Sequence, residues 1–355
     1  MRVGLIPQSF LERISLSSNV GPTPILLAVW GLGACRTMMA GVRLGIFDAL
    51  SRDKGGDRSA EELARQLGYD PAGTETLLDA LVGFGHLSRR DGRYQNGKVA
   101  EKWFTANSKS SLHNMVLFLY HVWDFMNSLE EAVRGGKSHV RDLHDPERPP
   151  EFWEHYLRGL AEFARLQGWE MVRRVPLPKN AKSLLDVGGG HGMFSVAFCR
   201  YHEGLAADVL DFPPAAAVGR SVVAEERMDH RVRFIEGDLR HTDFGQDRDA
   251  ILLFILVHHF SPEEVQRILA RAFAALRPGG TIAIFEPEHR GGSDDVTQSG
   301  GMMELMFFLT SRARAYREET LRGWLEKAKF DRIRTTRLLT APMTVLLTAR
   351  RPEHA

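Results

Sequence analysis

The hydrophobic rhythm changes once along this chain. Up to about residue 180 the apolar positions recur three and four apart, as on helices; from Lys182 onward short apolar runs alternate with helical segments. Residues 1–20 are weakly patterned. From Ile25 to Leu50 the positions Leu27, Val29, Trp30, Met38, Met39, Val42, Leu44 and Ile46 keep a helical period with few polar residues between them. That predicts a helical hairpin buried on most sides, and a domain this small has little to bury it against except a second copy of itself. Ser59-Ala-Glu-Glu62 is a capping box that opens a helix through Leu67. A turn at Gly68-Tyr-Asp-Pro71 leads to a second helix, Gly73 to Phe84, and Leu87 to Tyr94 folds back at Arg89-Arg-Asp-Gly92 as a hairpin wing. The order is that of a winged helix-turn-helix. Ser111 to Gly135 predicts two amphipathic helical pieces crowded with aromatics, among them Phe118, Tyr120, His121, Trp123 and Phe125. Residues 136–150 predict a loop, and Phe152 to Val175 a long helix with Phe152, Tyr156, Leu160, Phe163 and Leu166 on one face.

The second part predicts strands at Ser183 to Val187, Leu205 to Leu210, Val232 to Glu236, Asp249 to Val257 and Thr281 to Glu286. Helices fall between them at Met193 to Tyr201, Ala215 to Glu226 and Ser261 to Leu276. A helix from Glu319 to Lys327 and an antiparallel pair, Phe330 to Leu338 with Pro342 to Ala349, close the chain. Repeated strand–helix–strand units imply an α/β fold with a doubly wound parallel sheet, whose ligands lie at the carboxyl ends of the strands. Three regions are expected: residues 1–110, a winged-helix domain; 111–180, a helical linker that contributes to a substrate pocket; and 181–355, the sheet domain.

Composition narrows the function. Lys and Arg number 46 against 45 Asp and Glu, a net charge of +1, so no global field steers the chain to nucleic acid or to an anionic membrane. The second helix of the winged unit, Pro71 to Gly85, carries Glu75 and Asp79 and no Lys or Arg, which argues against a major-groove reader. The apolar run Ile25 to Trp30 is far short of the ~20 residues a bilayer span needs. Cys35 and Cys199 are the only cysteines, which fits buried thiols in a reducing, cytoplasmic compartment and not a zinc site.

The chemistry gathers at the strand ends. Asp186-Val-Gly-Gly-Gly-His-Gly192 is a strand, a glycine turn and a helix start, the geometry that lets a ligand approach bare backbone. A dinucleotide fingerprint fails by spacing, because Met193 or Ser195 stands where its third glycine belongs, and no Gly-Lys-Ser/Thr follows. Asp211 lies about 20 residues after the turn, where an acid meets a ribose diol. Asp238 offers a carboxylate to an adenine amino group, with Leu239 packing on the ring. His258 and Glu286 end neighbouring strands, and a His held by a carboxylate is an oriented general base. His259 is expected to pack or to cap a helix. A metal held by His258, His259 and Glu286 is disfavoured, because adjacent histidines in a turn point apart.

With these residues in place the chain resembles the small-molecule O-methyltransferases of the caffeate and acetylserotonin type. The resemblance covers about residues 25–350. It rests on the winged-helix region, Trp123 with Gly135-Gly136, Asp186 to Gly192, Asp211-Phe-Pro213, Gly237-Asp238, His258-His-Phe-Ser261, Pro278-Gly-Gly280 and Glu286. It implies a Rossmann-like seven-stranded sheet, S-adenosyl-L-methionine as cofactor, no metal, and a homodimer formed through the N-terminal domain. It also implies transfer of a methyl group to a hydroxyl of an aromatic or polycyclic small molecule. His258 would take the hydroxyl proton and Glu286 would orient it. The expected cofactor residues are Asp186, Gly188, Gly190, Asp211, Phe212, Gly237, Asp238, Leu239 and Phe254. Trp123, Phe152, Tyr156, Met302 and Met306 are the expected substrate contacts, Met306 falling where the family places an apolar clamp. Three positions depart from the family. His259 replaces an Asp and Phe254 a cofactor-contacting Lys of plant members, and Ala315 stands where the family has a second glutamate beside the histidine. With that acid missing, methylation of carbon or nitrogen on a ring such as a tetrapyrrole or quinone stays open. A DNA-binding regulator is the remote alternative.

Overall fold

The computed structural model describes residues 4–18, 20–136, 142–288, 297–311 and 314–354. Part of the predicted loop, residues 137–141, lies outside them. The chain forms two compact units, Met1–Tyr120 and His121–Ala355.

The first unit begins with helices α1 (Phe10–Ser17), α2 (Thr23–Arg43) and α3 (Ile46–Ala49). The winged element follows: β1 (Asp57–Arg58), α4 (Ala60–Leu67), α5 (Pro71–Gly83), β2 (Leu87–Arg90) and β3 (Arg93–Asn96). Next come α6 (Lys98–Trp103) and α7 (His113–Asn127), and the boundary between the units falls inside α7. The capping box is formed as the sequence predicts: Ser59 Oγ accepts from the Glu62 amide and the Glu62 carboxylate accepts from the Ser59 amide.

Two expectations for this unit need correction. The hairpin predicted from Ile25 to Leu50 is one 21-residue helix followed by the short α3, and only Met39, Gly41 and Val42 of α2 are buried. Ile25, Val29, Trp30 and Leu32 are each more than half exposed, so burial on most sides does not occur within one chain. At its full length α2 is long and apolar enough to cross a bilayer, the one such helix among the described residues, whereas the run to Trp30 had looked far too short. The wing arginines have exposed side chains and are also paired. Arg89 pairs with Asp79 at 3.0 Å and Glu75 at 3.6 Å, and Arg93 with Glu62 at 3.0 Å and Asp57 at 3.3 Å. The wing is tied to the acids of α5 and α4, and its cations are already matched.

The second unit opens with α8 (Leu129–Gly135) and α9 (Pro150–Arg174) and continues as β4 (Ser183–Val187), α10 (Met193–Tyr201), β5 (Ala206–Asp211), α11 (Pro213–Glu225) and β6 (Val232–Glu236). Its second half is β7 (Arg248–Phe254), α12 (Pro262–Ala275), β8 (Leu276–Pro287), α13 (Gln298–Ser311), α14 (Glu318–Lys327), β9 (Asp331–Thr336) and β10 (Thr344–Arg350). The seven strands lie in the order β6-β5-β4-β7-β8-β10-β9. The first five run parallel, and β10 pairs antiparallel with both β8 and β9. Central strands buried on both faces explain the uninterrupted apolar runs at Leu184–Leu185 and Ile251–Leu253, all fully buried. The order reverses between β4 and β7, so the ligand crevice opens at their carboxyl ends, with β5 and β8 as neighbours.

The predicted fourth strand ends earlier than its apolar run suggests. β7 stops at Phe254, Ile255 turns with φ +53°, and Val257–His259 forms a single tight helical turn. His258 therefore projects from a turn beyond the strand and not from the strand itself.

Candidate active site

The β4 and β5 tips are built from backbone. Gly188 has φ +68°, and a Cβ there would stand 2.5 Å from Leu256 Cδ1. A Cβ on Gly189 would lie 2.5 Å from the Asp186 carboxyl carbon. Glycine is needed at both positions for the chain to turn tightly over its own acid. Asp186 is buried, and its Oδ2 accepts from Ser195 Oγ at 2.8 Å. Its Oδ1 has no partner among the described residues. Burial, with the Asp211 charge adding to it, pushes the Asp186 carboxyl up to about 7. Asp211 ends β5 and bridges to the glycine turn: Oδ2 accepts from the Gly190 amide at 2.8 Å and Oδ1 from the Phe212 amide at 2.7 Å. Burial outweighs these bonds and raises its carboxyl to about 6. Phe212 is the N-cap residue of α11.

A glycine turn that leaves no side chain in the way, an ionisable acid at the next strand end and a buried carboxylate oxygen without a partner fit a neutral-to-cationic nucleoside. They do not form the all-donor nest that a pyrophosphate requires.

The β6 tip behaves differently from the sequence expectation. Both Asp238 oxygens lie 3.0 Å from Arg240 Nε, and the Arg240 amide donates to Oδ1 at 2.9 Å. Burial raises the Asp238 carboxyl, but the Arg240 bonds outweigh it and hold it below the usual range. The acid is thus shared with a neighbouring guanidinium before any adenine is considered. Leu239 and Phe254 are buried. Phe254 packs edge-on to Phe194 at 5.0 Å and to Phe285 at 5.7 Å, so the residue in place of the plant lysine is a core aromatic. Gly237 donates its amide to the Asp211 carbonyl at 3.0 Å, linking the β5 and β6 tips.

The β7 and β8 tips are built from side chains. His258 and Glu286 are each 2 % exposed, and His258 Nδ1 lies 2.6 Å from Glu286 Oε2. The other oxygen, Oε1, accepts from the amides of Leu256 at 2.6 Å and Val257 at 2.7 Å. Glu286 therefore binds the turn that carries His258 as well as the ring itself. The carboxylate fixes the proton on Nδ1, which leaves Nε2 as the basic nitrogen. The turn needs this anchoring because Ile255 is β-branched at positive φ, a conformation that costs about 1–3 kcal/mol and persists only where its surroundings over-determine it.

Of the predicted substrate contacts, Phe152 is buried and lies edge-on to His121 at 5.0 Å and tilted to Tyr156 at 5.9 Å. Trp123 is half-buried on α7. Met302 and Met306 both sit on α13, but Met302 is largely exposed. The helix meets the histidine through Phe307, whose ring stacks on His258 at 4.3 Å and 19°. Sequence reasoning missed Phe307 because α13 is apolar nearly all round, so spacing alone does not choose its inner face. It also missed His144, which arrives from the charged loop before α9 and packs perpendicular to His259 at 4.4 Å. His259 packs against His258 at 3.9 Å, as expected of a packing residue. Among the described residues no group of three or more His, Cys, Asp or Glu is arranged to hold a metal ion.

This sheet order with its glycine turn is that of the S-adenosylmethionine-dependent methyltransferase fold. Residues 135–331 match the O-methyltransferase domain and residues 29–106 the O-methyltransferase dimerisation domain, and the chain belongs to this O-methyltransferase family. It is 29% identical over 329 residues to 3-hydroxy-5-methyl-1-naphthoate 3-O-methyltransferase of Streptomyces sahachiroi, covering 89% of this chain and 91% of that one. It is 26% identical over 267 residues, 72% of each chain, to L-tyrosine C(3)-methyltransferase of Streptomyces lavendulae. The solved structure of human N-acetylserotonin methyltransferase in complex with S-adenosylmethionine superposes with a TM-score of 0.79 at 20% identity, covering 94% of this chain and 98% of that one. The exposed apolar face of α2 falls largely within the dimerisation match, which gives it a second copy to cover it.

Proposed function

We propose that this enzyme methylates a hydroxyl on an aromatic or polycyclic small molecule, of the kind the naphthoate relative takes, with His258 as the general base. The observation that carries the reading is the buried pair of His258 Nδ1 and Glu286 Oε2 at 2.6 Å. S-adenosylmethionine, when bound, supplies an electrophilic methyl carbon on a sulfonium. Asp211 and the glycine turn would hold the nucleoside, and Asp186 would offer its unpartnered oxygen to the amino-acid end. Asp238, shared with Arg240, would meet the adenine. His258 Nε2 accepts the hydroxyl proton as the acceptor oxygen becomes nucleophilic, and Glu286 stabilises the resulting imidazolium. Phe307 and the turn after β7 keep water from the imidazole. Assistance of this kind is typically worth about 10²–10⁴-fold, the remainder coming from alignment in a dry site.

One observation supports a second reading: a relative over 72% of this chain methylates a ring carbon. Incubation with methyl-labelled cofactor and hydroxynaphthoates, followed by mass spectrometry and cleavage of aryl ethers with hydriodic acid, separates the two. The label is expected on oxygen. A label that survives ether cleavage on a ring carbon would overturn the oxygen assignment.

A further inference from the structure

The wall beside the base holds polar groups that the transfer itself does not use. His144 reaches it from the loop before α9, and Tyr156 from the first turns of α9. The Tyr156 hydroxyl lies 3.4 Å from His144 Nε2, and the Asp142 carboxylate lies 3.7 Å from His144 Nδ1. His144 then meets His259 at 4.4 Å, and His259 meets His258 at 3.9 Å. Three imidazoles thus run in a row from the base to the His144–Tyr156 pair. Both His144 and Tyr156 keep partial exposure. The surroundings are otherwise apolar: Phe152 tilts against Tyr156 at 5.9 Å and Phe307 covers His258. Small-molecule sites use a few placed polar groups in such walls to fix the ligand's orientation. A polar pair this deep costs stability unless hydrogen-bonded, and a neutral imidazole with a phenol presents both a donor and an acceptor. Burial keeps His144 neutral, lowering it to about 4.

The geometry points to a second polar subsite, formed by His144 and Tyr156, that holds an oxygen of the acceptor other than the one methylated. The preferred acceptors are then di-oxygenated rings, with the second oxygen on the side of the ring away from His258. His144 and Tyr156 act as positioning residues. This rests on the reading of His258 as the base, because the row is measured from it.

The test uses two probes that differ only in the second oxygen function, 3-hydroxy-1-naphthoate and 2-naphthol. Their affinities for the full-length enzyme with S-adenosylhomocysteine are measured by calorimetry, and kcat and KM are measured with S-adenosylmethionine. The wild type is expected to bind the naphthoate at least tenfold more tightly. His144→Phe and Tyr156→Phe are each expected to lose about tenfold in naphthoate affinity, the worth of one hydrogen bond, while 2-naphthol stays within threefold. The loss should fall on KM more than on kcat. His144→Gln, which keeps a donor and an acceptor, should restore most of the preference. Equal losses on both probes, or no preference in the wild type, would overturn the subsite. The binding arm needs no turnover, so the subsite can fail while O-methylation of either probe still upholds the assigned reaction. The reverse outcome, preference without O-methyl product, would leave the subsite standing and sink the assigned reaction.

Discussion

Two sets of ion pairs in this molecule use the same chemistry for different ends. On the wing, Arg89 and Arg93 meet four acids through side chains that are all about half exposed. At the sheet edge, His258 meets Glu286 with both side chains 2 % exposed. Water screens the first set, and such pairs contribute about 0–1 kcal/mol each. The second set is desolvated, so its geometry is enforced and either partner left alone is costly. The difference separates charge that ties the wing to its helices from charge that fixes one buried ring. Charge placed in solvent holds a hairpin to its helices. The same charge buried at the sheet edge fixes the orientation of an imidazole.

That contrast can be broken at several points, the largest effect first. His258→Ala is expected to lower kcat by about 10²–10⁴-fold while S-adenosylhomocysteine affinity by calorimetry stays within threefold. Glu286→Ala should lower kcat and also destabilise the fold by about 3–5 kcal/mol in urea titration, because His258 Nδ1 and the Leu256 and Val257 amides lose their acceptor together. A cost below about 1 kcal/mol would mean the turn holds itself, contrary to the strain at Ile255. Asp211 tests the cofactor side. Its carboxyl is raised to about 6, so it is an ionised acceptor above that pH and protonates as pH falls through it. S-adenosylhomocysteine affinity should fall about tenfold between about pH 7.5 and 5, and Asp211→Asn should be weak and keep only the smaller fall that Asp186, raised to about 7, supplies. On the wing, where the Arg89 pairs are about half exposed, Arg89→Ala should cost less than about 1 kcal/mol and leave kcat unchanged. A cost of several kcal/mol there would erase the distinction between the two sets.

Much of the catalytic unit was legible because its signals are local. A glycine turn after a buried strand, acids at successive strand ends and continuous apolar runs for two-sided strands all sit within a few residues of one another. What was not legible depends on distant packing. Nothing in Phe254-Ile-Leu-Val-His258 signals that a β-branched residue takes a positive φ; the Glu286 carboxylate, from the next strand, imposes it. Phe307 was hidden in a helix without a polar face, and His144 in a charged loop whose fold is set by what it packs on. The length of α2 was underestimated because Gly31 and Gly33 interrupt the apolar run without ending the helix. Its exposed face makes sense once a second copy covers it.

The role of His258 is tested most directly by the acidity of the acceptor. Single-turnover transfer is measured for a hydroxynaphthoate and for a halogenated analogue whose hydroxyl ionises more readily, in the wild type and in His258→Ala. If His258 removes the proton, the acidic analogue should restore the variant's rate by at least about tenfold and change the wild type by less than about threefold. Equal dependence on acidity in both proteins would contradict a base at residue 258.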